Sequence, residues 1–170
     1  MHYVSFYSSP VGKLTVIADE TALLAVHFDN ETVVTDGFSS APNEIIGSTE
    51  KWLDEYFSGK IPAFTPNFRF EGSPFRVAVW EELARIPYGK TTTYGEIAKK
   101  VAAKLGKPRM SAQAVGGATG ANRIPIIVPC HRVMGADGSL TGFSAGLDKK
   151  KILLDLERIN YKDRRRPENK

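Results

Sequence analysis

One cysteine, Cys130, stands among 170 residues. A chain with a single thiol cannot staple itself with an internal disulfide, so its fold must be held by an apolar core. The material for one is present: 42% of the residues are hydrophobic and 25% charged, ordinary proportions for a globular protein. The length suits one domain or two small ones. Charged or polar side chains interrupt every apolar run well before the roughly 20 residues needed to cross a bilayer. The opening Met1-His2-Tyr3-Val4-Ser5 lacks the basic and apolar regions of a secretion signal. A cytoplasmic, intracellular protein with no membrane role is expected.

Charge divides the chain. Residues 1–71 carry four basic side chains against ten acids, and the remainder carries nineteen against nine. An acidic half followed by a basic half points to two domains, of which the second would seek a polyanion.

The first half reads as a small antiparallel meander. Residues 3–9, 13–18 and 22–28 are short β-leaning runs separated by turn-forming segments. His27 falls in the third run as a partly exposed strand residue rather than a ligand. Ile45, Ile46, Trp52, Leu53, Tyr56 and Phe57 recur at helical spacing and predict a helix over 44–57 that covers one sheet face. A proline-stiffened connector follows at 61–66, and Phe68-Arg69-Phe70 reads as a further strand.

The second half reads as mostly helical. Ser73 and Pro74 make a helix start, with Phe75, Val79, Trp80 and Leu83 on one face. Thr93-Tyr94-Gly95-Glu96 is a capping box opening the next helix, which Gly106 closes. Ser111 caps a short third helix, giving a helix-turn-helix with basic residues around its turn. Ala112, Ala114, Gly116, Gly117 and Ala118 leave that third helix almost without bulk. Each interior glycine costs a helix roughly 1 kcal/mol against alanine, so something must approach the backbone closely. A nucleic-acid groove and a neighbouring helix both fit. Asp148 would cap a last helix carrying Ile152, Leu153, Leu156 and Ile159. The fold class is therefore α+β in two domains: a three-stranded antiparallel sheet with a helix at 1–70, a mostly helical, winged-helix-like domain at 73–160, and a basic tail at 161–170.

Within the second half, Ile126-Ile127-Val128-Pro129 reads as a buried strand-like run that ends at Cys130. A lone cysteine is more often a small buried hydrophobe than a reactive group. Here His131 follows it directly, and imidazole is the side chain best suited to take a thiol proton near neutral pH. Two rival uses of this pair are a DNA-binding regulator with an incidental or sensing thiol and a cysteine hydrolase. Adjacent residues of an extended segment point to opposite sides, which makes a direct Cys–His contact awkward and a water relay easier.

Pro129-Cys130-His131-Arg132-Val133, preceded by Val115-Gly116-Gly117 and Asn122 and followed by the segments 142–147 and 153–157, resembles the O6-alkylguanine-DNA alkyltransferases, also called methylated-DNA–protein-cysteine methyltransferases. The match runs in order from about Ser73 to Glu157. The resemblance implies a repair protein that flips O6-alkylguanine out of double-stranded DNA and moves the alkyl group irreversibly to Cys130, once per chain; O4-alkylthymine stays open as a second substrate. It implies that His131 takes the thiol proton through a water, that Glu157 holds the imidazole, and that Asn122 braces the turn beside the nucleophile. By the same resemblance, Tyr94 donates to the flipped base, the Ser144 N–H meets O6, the carbonyls of Cys130 and Val133 read the guanine amino group, and Phe143 walls the pocket. DNA contacts, through the minor groove, fall to Gln113, Ala114 and Gly117 of the small-residue helix and to Arg132. The implied protein is a monomer without a cofactor, nucleoid-associated if bacterial.

Departures from the family pattern are local. Gln113 stands where many members have an arginine that fills the gap left by the flipped base. The run from Tyr94 to Gln113 is longer than in many members, and Phe143 replaces a common tyrosine. No cysteine precedes Cys130, so the usual ligand set for a structural zinc is missing and no metal is expected.

Overall fold

A computed structural model describes residues 1–162; of the basic tail, residues 163–170 lie outside the described residues. The chain forms two compact units, one of Met1–Gly72 with Arg123–Ile127, the other of Ser73–Asn122 with the residues from Val128 onward.

In the first unit, β1 (Tyr3–Ser9), β2 (Gly12–Ala18) and β3 (Leu23–His27) form an antiparallel sheet in that order. Ser9 pairs with Gly12 across the first turn. Gly12 has φ +93°, a backbone conformation that strains any residue with a side chain, and the Asp29 carboxylate occupies the space a Cβ would take. α1 (Glu44–Phe57) begins at Asn43, whose side chain accepts the Ile46 N–H at 2.9 Å. The helix buries Ile46, Trp52, Leu53 and Tyr56, and each such side chain removed from water contributes roughly 1.5–3 kcal/mol. The segment 68–70 makes one parallel bridge, Phe68 to Leu23, rather than a full strand. His27 is half-buried beside the Glu31 carboxylate.

Residues 123–127 were expected in the second domain, but the Arg123 carbonyl accepts the Val26 N–H at 2.9 Å and the segment packs with the first unit. Nor is the run before Cys130 a strand. Ile126 has φ +74°, rare for a β-branched residue, and its neighbours close tight local turns instead of pairing in a sheet. Ile126 is wholly buried, so packing around its side chain holds the strained backbone.

The second unit holds α2 (Pro74–Ala84), α3 (Tyr94–Lys104), α4 (Ala112–Gly120) and α5 (Leu147–Leu156). Ser73, Thr93 and Ser111 cap the first three, each accepting an N–H from three residues on. Gly106, at φ +66°, and Lys107 close α3 by bonding back to Ala103 and Ala102, and the chain then turns into α4. Trp80, 1% exposed, donates its indole N–H to the Ala118 carbonyl at 2.8 Å and so fixes α4 against α2.

α5 departs from expectation at its start and in the face it buries. It begins after Gly146, whose φ of +102° suits glycine alone, and Asp148 lies inside the first turn. The buried residues are Lys150, Leu153 and Leu154, whereas Ile152 is 38% exposed.

Candidate active site

Two short strands missed by periodicity set the site. β4 (Thr92–Thr93) pairs in parallel with β5 (Val133–Met134), Thr92 against Val133 and Thr93 against Met134. This pairing places Tyr94, the first residue of α3, beside the segment that carries the cysteine. Cys130–Arg132 form a single 3-10 turn. The Cys130 N–H bonds back to the Val128 carbonyl at 2.8 Å, and the Asn122 amide donates to that same carbonyl at 2.9 Å. Asn122 thus joins the end of α4 to the cysteine turn.

Above the turn lies a pocket of about 520 Å³. Its lining includes Tyr94, Gln113, Cys130, Thr141, Phe143 and Ser144, with Gly116 and other small residues of α4. Of the residues implicated by sequence, Asn122, His131, Val133 and Glu157 stand behind this lining. Ala114 and Gly117 are exposed on α4. A Cβ at Gly116 would meet only the Tyr94 ring, at 3.9 Å, and one at Gly117 would meet nothing within 4 Å. Close packing of a neighbouring helix therefore does not explain these glycines.

Glu157, just past the end of α5, gathers the buried polar groups. One carboxylate oxygen lies 2.6 Å from His131 Nε2; the other accepts Arg132 Nε at 2.8 Å and the Gly89 N–H at 2.9 Å. The helix end aims this carboxylate inward: the Ile159 N–H bonds to the Leu154 carbonyl and the Arg158 N–H to Asp155, with Arg158 at φ +60° where glycine is usual. Arg132 was expected on DNA. It is 6% exposed instead, and its guanidinium also donates to the Ile86 carbonyl at 2.7 Å and lies over the Tyr88 ring. Its charge is committed to the interior.

Burial would raise the Glu157 carboxyl, but the hydrogen bonds from His131 and Arg132, the Arg132 charge and, at acid pH where the imidazole is protonated, the His131 charge outweigh it and hold the group at about 2. Burial pushes the His131 pKa down, against the opposing pull of Glu157, so the imidazole is neutral in the resting protein. A neutral imidazole facing a carboxylate through Nε2 carries its proton there, which leaves Nδ1 as the basic nitrogen. Burial also raises the Cys130 thiol, opposed by a hydrogen bond from Asn122 and by the nearby Lys150 charge. The resting nucleophile is a protonated thiol that needs a base.

Sequence reasoning missed Thr141 and Lys150. The Tyr94 and Thr141 hydroxyls lie 2.7 Å apart. Lys150 is fully buried, and Nζ donates to the Val133 carbonyl at 2.9 Å and reaches the Thr141 carbonyl and hydroxyl at 3.4 Å each. Its signal was present: Lys150 lies three and four residues before Leu153 and Leu154, on the buried stripe of α5. Among the described residues no group of three or more His, Cys, Asp or Glu is placed to hold a metal, and no helix is long and apolar enough to cross a membrane.

Two capped helices joined by a short turn, the second bordering a pocket floored by a buried thiol that neighbours a His–Glu pair, are the parts a protein doing nucleophilic chemistry at a nucleic-acid surface would need. Comparison with known proteins specifies the class. Residues 2–70 match the ribonuclease-like domain and residues 74–159 the DNA-binding domain of 6-O-methylguanine DNA methyltransferase. A methylated-DNA–protein-cysteine methyltransferase of Methanosarcina acetivorans is 42% identical over 91% of this chain and 97% of its own length. One from Haemophilus influenzae is 36% identical over 95% and 89%. The Mycobacterium tuberculosis OGT, solved in complex with DNA, superposes with a TM-score of 0.80 at 36% identity, covering 92% of each chain. The chain belongs to the 6-O-methylguanine DNA methyltransferase family.

Proposed function

We propose that this protein repairs DNA by moving the alkyl group of O6-alkylguanine onto Cys130, once and irreversibly, after the damaged base is flipped into the pocket. The observation that carries this reading is the position of the buried thiol, at the floor of a pocket bordered by α4 and backed by the His131–Glu157 pair. Relatives named methylated-DNA–protein-cysteine methyltransferases support the same reaction.

The step balances as an in-line displacement. His131 Nδ1 takes the thiol proton through a water, sulfur attacks the alkyl carbon, the C–S bond forms, and the C–O bond breaks with its electron pair left on the guanine. Tyr94 donates to the base as that negative charge grows, and the proton held by the imidazole returns through solvent to restore neutral guanine. The Ser144 N–H would meet O6. The Cys130 and Val133 carbonyls already accept the Val133 N–H and the Lys150 ammonium, but a carbonyl has two lone pairs and each can still accept from the guanine amino group. Glu157 and Asn122 fix the imidazole and the turn without touching substrate. The exposed, nearly side-chain-free surface of α4 suits a minor groove, where bulk is excluded, with Ala114 and Gly117 against its floor and Gln113 at the pocket edge. Flipping costs a few kcal/mol and least at a mispaired lesion, so extrusion itself favours damage. The protein acts as a monomer.

Intact-protein mass after incubation with an O6-methylguanine duplex tests the reading. One added methyl group per chain, located at Cys130 and absent in Cys130→Ala while that variant still binds DNA, is the expected result. More than one equivalent of repaired guanine per chain, or repair without a mass change, overturns it.

A further inference from the structure

A buried lysine is costly, because burial disfavours its charged form and every N–H must find an acceptor. The transfer reaction above uses neither Lys150 nor Thr141, yet the two form a continuous polar line to the pocket. Lys150 Nζ reaches the Thr141 hydroxyl at 3.4 Å, and that hydroxyl lies 2.7 Å from the Tyr94 hydroxyl. Thr141 and Tyr94 both line the pocket.

The chemistry of the three groups gives this line a direction. An ammonium only donates, so Lys150 occupies one of the two lone pairs of the Thr141 oxygen, which biases the Thr141 proton toward Tyr94, the other polar group at that oxygen. Tyr94 then receives a hydrogen bond from Thr141, and its own proton is released into the pocket. With the opposite order, Tyr94 would donate to Thr141 and present only lone pairs to a base that is gaining negative charge. We infer that Thr141, backed by Lys150, is a positioning residue that sets the direction of the Tyr94 hydroxyl and makes Tyr94 a hydrogen-bond donor to the flipped base. This rests on the reading that Tyr94 assists the departing guanine. Burial raises the Tyr94 pKa, opposed by the Thr141 hydrogen bond, so the phenol keeps its proton at neutral pH as a donor must. The Lys150 bond to the Val133 carbonyl anchors the ammonium and ties the line to β5.

Single-turnover rates on an O6-methylguanine duplex test the line in Thr141→Val, Thr141→Ser, Tyr94→Phe and the double variant Thr141→Val/Tyr94→Phe. Thr141→Val keeps the shape and removes the hydroxyl; it should slow transfer about tenfold, the rate equivalent of one hydrogen bond. Thr141→Ser should recover most of that loss. The double variant should be no slower than Tyr94→Phe alone, because both changes cut the same line. Alkylation of Cys130 by iodoacetamide, which needs no Tyr94, should proceed at the wild-type rate in Thr141→Val; a matching slowdown there would mean a collapsed pocket and overturn the assignment. Losses that multiply in the double variant would also overturn it, by showing that Thr141 acts apart from Tyr94. A slow Tyr94→Phe beside an unchanged Thr141→Val removes the Thr141 role and leaves the Tyr94 reading standing. An unchanged Tyr94→Phe removes both.

Discussion

The Glu157 carboxylate meets His131 Nε2 at 2.6 Å with both side chains wholly inaccessible to solvent. Because burial keeps His131 neutral, the permanent cation on this carboxylate is Arg132, at 2.8 Å. Glu157 therefore has two tasks: it fixes the imidazole tautomer and neutralises a buried guanidinium.

Glu157→Gln should impair both. The amide can present an N–H to Nε2 and so reverse the tautomer, leaving no basic nitrogen for the thiol, and transfer should slow by about tenfold or more. The fold should lose roughly 3–5 kcal/mol, the usual cost of removing one partner of a buried ion pair. The pH dependence follows from the sign of the shift. Glu157 sits at about 2 in the fold against an ordinary 4.5, so the unfolded chain binds more protons between those values and stability rises with pH there. The contribution, on the order of 3 kcal/mol, is complete above pH ~4.5 and lost as pH falls toward ~2. Urea unfolding of both proteins from pH 2.5 to 7 checks this; parallel curves would show that Glu157 is not the titrating group.

Arg132→Met separates an internal role from a DNA role. A phosphate contact releases a counterion, so losing one reduces the slope of log K against log salt by about 1. With its guanidinium on Glu157 and the Ile86 carbonyl, Arg132 should leave that slope unchanged. Stability and transfer rate should both fall, as expected for Glu157→Gln. A shallower salt slope at undiminished stability would return Arg132 to the DNA surface.

What was legible in the sequence follows the range of each interaction. Helix starts are local: Ser73, Thr93 and Ser111 each cap through a bond to a residue three positions on, and each could be read directly. The meander was legible because alternation and turn chemistry lie within a few residues of each other. The strand predicted at 126–128 failed because apolar content alone cannot distinguish a buried strand from a buried turn, and the deciding feature is the left-handed backbone of Ile126. The pairing of Thr92–Thr93 with Val133–Met134 spans some forty residues and leaves no periodic trace. Cys130 and His131 declared themselves by adjacency, whereas Glu157 entered only through the family resemblance. Thr141 had no signal at all, since a threonine in a small-residue loop reads as a turn.

Lys150 carries a second pH signature, opposite in origin to that of Glu157. Burial lowers it from 10.5 to about 8, with the Cys130 charge opposing. A lysine depressed in the fold binds fewer protons there than in the unfolded chain between those values, so stability rises as pH climbs from about 8 toward 10. Cys130, whose charge opposes the Lys150 shift in this pH range, should be removed first, as Cys130→Ser. In that background, the stability difference between Lys150 and Lys150→Met should change by a few kcal/mol across pH 7.5–10. A flat difference would mean that Lys150 is not confined as its hydrogen bonds indicate.

Gln113 and Phe143 are the two pocket residues that the resemblance marks as departures from the family pattern, and the structure puts Gln113 on the pocket lining at the exposed start of α4. If this side chain fills the space left by a flipped nucleotide, glutamine can hydrogen-bond the orphaned base but brings neither charge nor a guanidinium face for stacking. Gln113→Arg should therefore tighten duplex binding and, where the new cation reaches a phosphate, steepen the salt slope by about 1. The gain should fade as salt rises. Gln113→Ala should slow repair of a lesion in duplex DNA more than of the free base, because only the duplex has a gap to fill. Single-turnover rates on both substrates, for wild type and the two variants, check this. Equal duplex rates in all three would assign the gap to another residue, and the turn after Gly106, where Lys107 and Arg109 are exposed beside the start of α4, is the place to look for it.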